Sequence, residues 1–432
     1  MLWRIPCVEI GVSGHPGSRL ASRLWSSSLQ DDVSSDFIAR RHNVDRHLCK
    51  RRWLQRRRER SMNFMPPSGK PKAFAFMVPL LSQPPENVAL FAILYGLADF
   101  RKDLAAFAAT SGIPEADLRE IADGAEQGQD VNSPKRSNQH VVSRVVLCRF
   151  EDPTTHLIGN HSLQYGLQPS TGPGGLGWVR DFVKIDSTAT EELWGKTESK
   201  LPDAVAAADT QTLFNSTEHV ATIKEVIALH YARSIDVLAQ YEDLWQQMLT
   251  TKRAELATNP AATDAIYALK SGDRTGKPDA AMREALAEEW LQGLTNLYET
   301  GVGFRFRVQH YFHAATALIR SAGLEVLRPP AGSEFLIGDV PVTTTDATGH
   351  ARGVAAGIPI GSAATVAMPL GPRLLVALGP KDLYAELDPN HVERLNTWQI
   401  EAAKSAVYFR PGSPCESLAT QVRPPTGYQP PT

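Results

Sequence analysis

Five side chains stand at spacings that could do chemistry: His140, Glu191, Glu198, Arg233 and Asp339. Glu191 and Glu198 are seven residues apart, which at about 100° per residue returns to within roughly 20° of one helix face, with ~10.5 Å of rise between them. His230 and Arg233, three apart, share a face in the same way. If the two faces meet, Glu191 and Glu198 could hold a divalent metal, with His140, Arg233 and Asp339 as the catalytic groups around it. Arg233 could then neutralise a phosphate bidentately. That is the logic of metal-assisted phosphoester hydrolysis, in which the metal activates water and the arginine stabilises developing charge; nucleic acid is one substrate of that kind.

Each residue also has a structural reading. Arg233 could bridge either glutamate between packed helices. Asp339, ahead of Val340 and Pro341, could be an Asx-type turn residue that satisfies backbone donors at a strand end. His140 could simply open a helix. The rival to an enzyme is therefore a non-enzymatic binding or regulatory protein whose buried polar cluster fixes the fold. An active site needs its groups solvent-reachable in one concavity, whereas a structural network is dry and mutually paired.

The elements that would position these residues follow from periodicity. Val141 to Phe150 reads as a short apolar helix, and hairpin-like segments surround His156 to Tyr165. Thr188 and Glu191 form a capping box for a helix reaching Ala208, with Pro202 expected to kink or end it. Thr217 to Leu256 reads as one long helix, since Val220, Ile223, Ile227, Tyr231, Ile235, Leu238, Tyr241 and Trp245 recur at three- and four-residue steps. Two further helices are expected near 280–298 and 304–322. Short apolar runs bounded by Gly and Pro then predict strands at 334–338, 341–345, 364–370 and 373–378, before a last helix over 391–406. Helices first and clustered strands later give an α+β domain over 138–410, followed by a disordered Pro-rich tail at 411–432.

Ahead of this domain the chain changes character. Residues 1–60 hold 12 Arg and one Lys against six acids, a net of +7, which leaves −9 for the rest of a chain whose total is −2. Residues 1–61 read as a disordered basic leader, translated only if initiation precedes Met62, Met65 or Met77, and its arginines could meet nucleic acid or anionic lipid. A Pro-rich linker follows over 62–85. Residues 86–127 form a small helical module with helix-turn-helix spacing. Its would-be recognition helix carries Glu115, Asp117, Glu120 and Asp123 against Arg119, a charge that suits a protein partner better than DNA.

The 42% hydrophobic and 21% charged residues fit a globular chain and exclude collagen-like, disulfide-scaffold and membrane-spanning classes. No secretory signal is visible, and the longest apolar run, 87–98, is far short of the ~20 residues that span a bilayer. Cys7, Cys49, Cys148 and Cys415 are scattered, which suits a reducing cytoplasm and argues against a cysteine zinc site. His310 and His313 lack a carboxylate pattern. The glycine-rich run 172–177 includes Pro173, has no Gly-Lys-Ser/Thr and reads as a flexible loop, and no Gly-x-Ser-x-Gly elbow occurs.

Four stretches together carry a resemblance. These are Gln139 to Phe150, the Glu191/Glu198 helix followed by 228–234 with Arg233, Phe335-Leu336-Ile337-Gly338-Asp339-Val340-Pro341-Val342, and Met368-Pro369-Leu370-Gly371-Pro372 with Asn396 in the closing helix. Over residues 138–410 the chain resembles the bacterial family catalogued as domain of unknown function 4238, with its opening His-x-x-Pro helix and its strand ending in Ser-Asp-x-Pro. Ser143 stands where the family has proline and Gly338 where it has serine. The family is functionally uncharacterised, so the resemblance implies a fold and a set of positions without a reaction.

Overall fold

The computed structural model of the chain describes residues 97–111, 115–116, 118–119, 122–123, 138–184, 187–261, 263–264, 267, 277–350, 352–354 and 356–422. The expected leader and linker lie outside the described residues. Helices α1 (Leu97–Lys102) and α2 (Leu104–Ser111) come first. Phe100 and Phe107 meet there with ring centroids 4.8 Å apart, buried together with Leu104, Leu118 and Ala122. Arg101 pairs with Asp123 at 2.6 Å and Arg119 with Glu115 at 2.9 Å, so two of this segment's acids are committed to internal ion pairs.

The main domain is α+β. β1 (Asn138–His140), α3 (Arg144–Leu147), β2 (Ile158–Ser162), β3 (Gly166–Thr171) and β4 (Trp178–Arg180) lead into α4 (Ser187–Glu198), α5 (Leu201–Asp209), α6 (Thr217–Ala232), α7 (Ile235–Thr258), α8 (Ala280–Thr300) and α9 (Val302–Ile319). Then come β5 (Gly323–Arg328), β6 (Ile337–Gly338), β7 (Thr343–Thr345), β8 (Thr365–Gly371), β9 (Leu374–Gly379), β10 (Leu383–Glu386), α10 (Pro389–Ala402), β11 (Ala406–Phe409) and α11 (Pro414–Val422). β1 and β4 make a two-stranded antiparallel ribbon. One sheet runs β10-β5-β9-β8-β7, with only the β10–β5 pair parallel. The other runs β3-β2-β11-β6, antiparallel throughout.

The structure differs from the periodicity reading where the backbone turns. Thr217 to Leu256 is two helices, not one. Arg233 ends α6, and Ser234 takes an extended φ of −74° and ψ of 144°. Its hydroxyl oxygen accepts from Asp236 N at 3.1 Å, which is how serine starts a helix. Both helices face one core, through Val226, Ile227 and Tyr231 before the break and Val237, Tyr241 and Trp245 after it, so the apolar period continues across it. The segment 188–208 is likewise α4 and α5, with Pro202 in the first turn of the second, where its missing N–H costs nothing. His140 lies on a strand rather than at a helix start.

The closing helix ends at Ala402; the Ala403 amide still bonds back to Gln399 O, and Asp339 claims the three amides that follow. Its Oδ1 accepts from Lys404 N at 2.8 Å, and its Oδ2 accepts from Ser405 N at 2.7 Å and Ala406 N at 3.1 Å. The Ser405 hydroxyl donates to Oδ2 as well. Freed from the helix, Ala406 to Phe409 enters the sheet between β2 and β6. The stretch expected as a tail is helical over Pro414–Val422, with Cys415 and Ala419 buried against Leu336, Ile400 and Phe409.

Two amides on α10 take the place of a strand neighbour. Asn396 Oδ1 accepts from Leu336 N at 3.0 Å while its Nδ2 donates to Glu334 O at 2.8 Å. One turn on, Gln399 Oε1 accepts from Gly338 N at 2.9 Å, and its Nε2 donates to Pro341 O at 2.9 Å and Thr343 Oγ1 at 2.6 Å. Glycine at 338 permits the approach, since a Cβ there would sit 3.0 Å from Gln399 O and 3.2 Å from Ala403 Cβ. Gln399→Leu would leave a buried amide and a buried carbonyl without partners, at an expected cost of about 2–4 kcal/mol. Urea titration should show a lower midpoint at unchanged slope; a loss under about 0.5 kcal/mol would mean that the clamp is dispensable.

Candidate functional site

The helix break leaves a permanent cation in the interior. Arg233 is 1% exposed, and a guanidinium cannot shed its charge by losing a proton. Three groups compensate it. Glu198, at the end of α4, pairs with Nη2, His230 Nε2 lies 2.9 Å from the same Nη2, and the Trp194 ring centroid lies 5.4 Å from the guanidinium carbon. Trp194 and Glu198 are one helical turn apart, so α4 presents an aromatic face and a carboxylate side by side.

His230 is the centre of this group, and the sequence marked it only as sharing a face with Arg233. Its Nε2 receives Ser143 N at 3.0 Å as well as Arg233, and its Nδ1 faces Val226 O at 2.9 Å. An amide and a guanidinium can only donate, so Nε2 must be the bare nitrogen and Nδ1 the protonated one. Burial first, and then the charge of Arg233, push its pKa well below the usual 6.5. His230 is a neutral, fully engaged acceptor.

His140 reaches the group from β1. Its neighbour Gln139 is buried on the opposite face of the strand, accepting from Val183 N at 2.6 Å. His140 is half-buried, and its Nε2 is enclosed without a hydrogen-bond partner among the described residues. Burial and the charge of Arg233 lower its pKa, with Glu198 opposing them, so this imidazole is neutral too. Glu191 sits half-buried two turns before Glu198 on α4. Among the described residues, no three His, Cys, Asp or Glu side chains gather as a metal-binding set.

Asp339 is not part of this group. Its oxygens serve the distant 404–406 turn rather than the local backbone of an Asx-type turn, and burial lifts its pKa despite the four hydrogen bonds that pull it down. The structure thus gathers His140, Glu198 and Arg233, adds His230, Ser143 and Trp194, and places Asp339 in the scaffold. A cavity of about 620 Å³ lies elsewhere, lined by Asp152, Glu334, Arg373, Arg410 and Ser413 among others. Arg373 there donates to the carbonyls of Pro329, Pro330 and Ser333, and Arg410 pairs with Glu334.

The remaining motifs are joints. Arg149 grips both carboxylate oxygens of Asp209, at 2.9 and 3.0 Å, and donates to Leu370 O at 2.7 Å. Phe335 N donates to Pro372 O at 2.9 Å, so the segment around Leu370 is held from two sides. The glycine-rich run is not free either. Gly177 has φ of +65°, and a Cβ there would come 2.9 Å from Leu147 Cδ1. Its carbonyl accepts from Val141 N at 2.8 Å and Val142 N at 3.1 Å, clasping the end of β1 to the start of β4.

The model of the family described as "Protein of unknown function (DUF4238)" matches residues 138–413. The match covers well over half of the chain, and the chain belongs to that family. No curated protein and no solved structure matches it significantly. The Ser143 amide meets His230, a contact that a proline at this position could not make because it has no N–H to give.

The His230 environment makes stability depend on pH with a definite sign. In the unfolded chain this imidazole takes up a proton below about pH 6.5, whereas in the folded chain it does not, so its contribution is complete above that value and is lost as pH falls. The slope for this single proton approaches about 1.4 kcal/mol per pH unit. Asp339, with its raised pKa, acts oppositely: its contribution is present below the ordinary carboxylate value and lost as pH rises. Denaturant unfolding of wild type and His230→Gln between pH 7 and pH 5 should show a flatter limb in the variant. Identical slopes would mean that His230 titrates alike in both states.

Proposed function

We propose that this DUF4238 member works as a binding or regulatory protein in which the polar cluster holds the fold. The observation that supports this reading is the mutual commitment of the buried charged groups. Arg233 and His230 are fully buried and paired with each other, Asp339 is saturated by backbone amides, and Glu198 faces a guanidinium. Mutual pairing of buried charges, here Arg233 Nη2 with Glu198 and His230, is what a structural role requires. The donors also suit a metal poorly, because a divalent cation on Glu198 would sit against the positive charge of Arg233.

A metal-assisted phosphoester hydrolase is the second reading, favoured by one observation. The enclosed His140 Nε2 has no hydrogen-bond partner among the described residues, and a buried polar atom left without one calls for a water, an ion or a ligand. In that reading His140 takes a proton from the attacking water, Arg233 faces developing negative charge, and Glu191 and Glu198 would hold the metal whose Lewis acidity activates the water.

Thermal unfolding of the full chain with and without millimolar Mn²⁺, Mg²⁺ or Zn²⁺, beside Glu198→Gln, separates the two. A ligand that binds only the native state must raise the midpoint. The expected result is no metal-induced shift, with Glu198→Gln costing about 3 kcal/mol because Arg233 is left buried without its carboxylate. A metal-induced rise in wild type that disappears in Glu198→Gln would replace the first reading with the second.

A further inference from the structure

The ribbon of β1 and β4 carries a face that the core does not cover and that the Arg233 cluster enters only through His140. Its register sets Asn138 opposite Arg180, Gln139 opposite Val179 and His140 opposite Trp178. Residues directly opposite in an antiparallel pair project on the same face, and successive residues alternate. Gln139 is fully buried and accepts from Val183 N, so the Gln139–Val179 face is the inner one. Asn138, His140, Trp178 and Arg180 share the other. Asn138, Trp178 and Arg180 are exposed, and half-buried His140 is where this face meets Arg233 and Glu198.

Trp178 distinguishes this face from ordinary surface. The residue keeps 41% of its area in solvent, although a large amphipathic ring is usually covered. It is not loose, because its Nε1 donates to Gly175 O at 3.2 Å. Gly175 belongs to the glycine-rich run that Gly177 anchors. The indole is thereby oriented in advance, which removes an ordering cost from anything that stacks on it. One cation stands on the same face: Arg180, two residues along the strand, has a side chain 78% exposed, with Asp181 at 3.9 Å.

We infer that this face binds single-stranded nucleic acid, with a base stacked on Trp178 and Arg180 against the adjoining phosphate. An aromatic platform beside an exposed guanidinium offers a stacking surface and a phosphate contact, the two elements that hold unpaired strands regardless of sequence. The face is the open side of a two-stranded ribbon, which suits a strand laid across it; enclosed small molecules take concave sites. The inference rests on the chain being a binding protein. Few cations take part, so the salt dependence is shallow, of the order of one or two phosphates. Binding through Arg51, Arg52, Arg56, Arg57, Arg58 and Arg60 of the leader would instead be steep and indifferent to Trp178.

The test is fluorescence anisotropy of the full chain with short labelled single strands of DNA and RNA, at a series of salt concentrations. AMP serves as a competitor, and Trp178→Ala, Trp178→Phe and Arg180→Gln are compared with wild type after melting curves confirm their fold. Trp178→Ala should weaken binding by about 5- to 150-fold, the range for loss of one stacked base. Trp178→Phe should retain most of it, and Arg180→Gln should weaken it and reduce the salt slope by about one. No binding at low salt, binding unchanged in both Trp178→Ala and Arg180→Gln, or AMP binding as tightly as the strand would each overturn the inference. Recovering the strand cleaved would support the ligand class and overturn the non-enzymatic reading. Absence of binding would leave the role of the cluster in the fold untouched.

Discussion

A guanidinium that no solvent reaches sets the terms for this domain. Arg233 cannot be neutralised by proton loss, so folding must bring it a counter-charge and acceptors or suffer a desolvation penalty of several kcal/mol. The elements that answer it come from distant parts of the chain: α4 brings Glu198 and Trp194, α6 brings His230, and the entry to α3 brings the Ser143 amide to the same imidazole nitrogen that Arg233 meets. Each contact fixes the next. The amide of Ser143 forces the tautomer of His230, the bare Nε2 of that tautomer is shared with Arg233, and the cation holds the carboxylate. Such a chain specifies one packing of three helical segments more sharply than apolar contact alone, because a slipped arrangement would leave a buried charge unanswered.

A second relay ties that region to the strands. Asp339 gathers the amides of Lys404, Ser405 and Ala406, and the Lys404 side chain pairs at 2.8 Å with Asp236 in the first turn of α7. The turn that ends α10 is thereby linked to the turn that starts α7. Lys404 is partly exposed whereas Asp236 is 4% exposed, so the pair sits at the edge of the interior. The helical layer and the sheets are joined by side chain to backbone bonds as well as by the continuous apolar core that runs through both.

Much of this was legible in the sequence and some was not, for physical reasons. Periodicity located the helices and the late strands, because burial on one face imposes a repeat. It missed the break at Ser234, since a serine cap interrupts the backbone while the apolar spacing of Tyr231, Val237 and Tyr241 continues across it. It extended α10 into β11, because the carboxylate that claims the amides after the helix lies 65 residues upstream. Residue type and spacing offered Arg233 either glutamate of α4 as a partner, and the structure pairs it with Glu198. His230 was harder to see: a histidine on an apolar helix face announces neither its tautomer nor the amide that fixes it. Asp339 had the residue type for catalysis and the context for a local turn, whereas its oxygens serve a turn that begins 65 residues downstream.

The sheet β3-β2-β11-β6 joins the two ends of the domain, with Ser162 beside Ala406 across roughly 240 residues of chain. During synthesis the β2–β3 hairpin emerges long before its inner partner exists. At about 5–20 residues per second the edge of β2 waits on the order of ten to fifty seconds for β11. An unpaired edge is a template for any other strand. The pairing of β2 with β11 also closes a very long loop, which makes the final step of folding slow and late. The domain is therefore most exposed to misassociation while still attached to the ribosome, and its last few dozen residues act as the bolt that closes it.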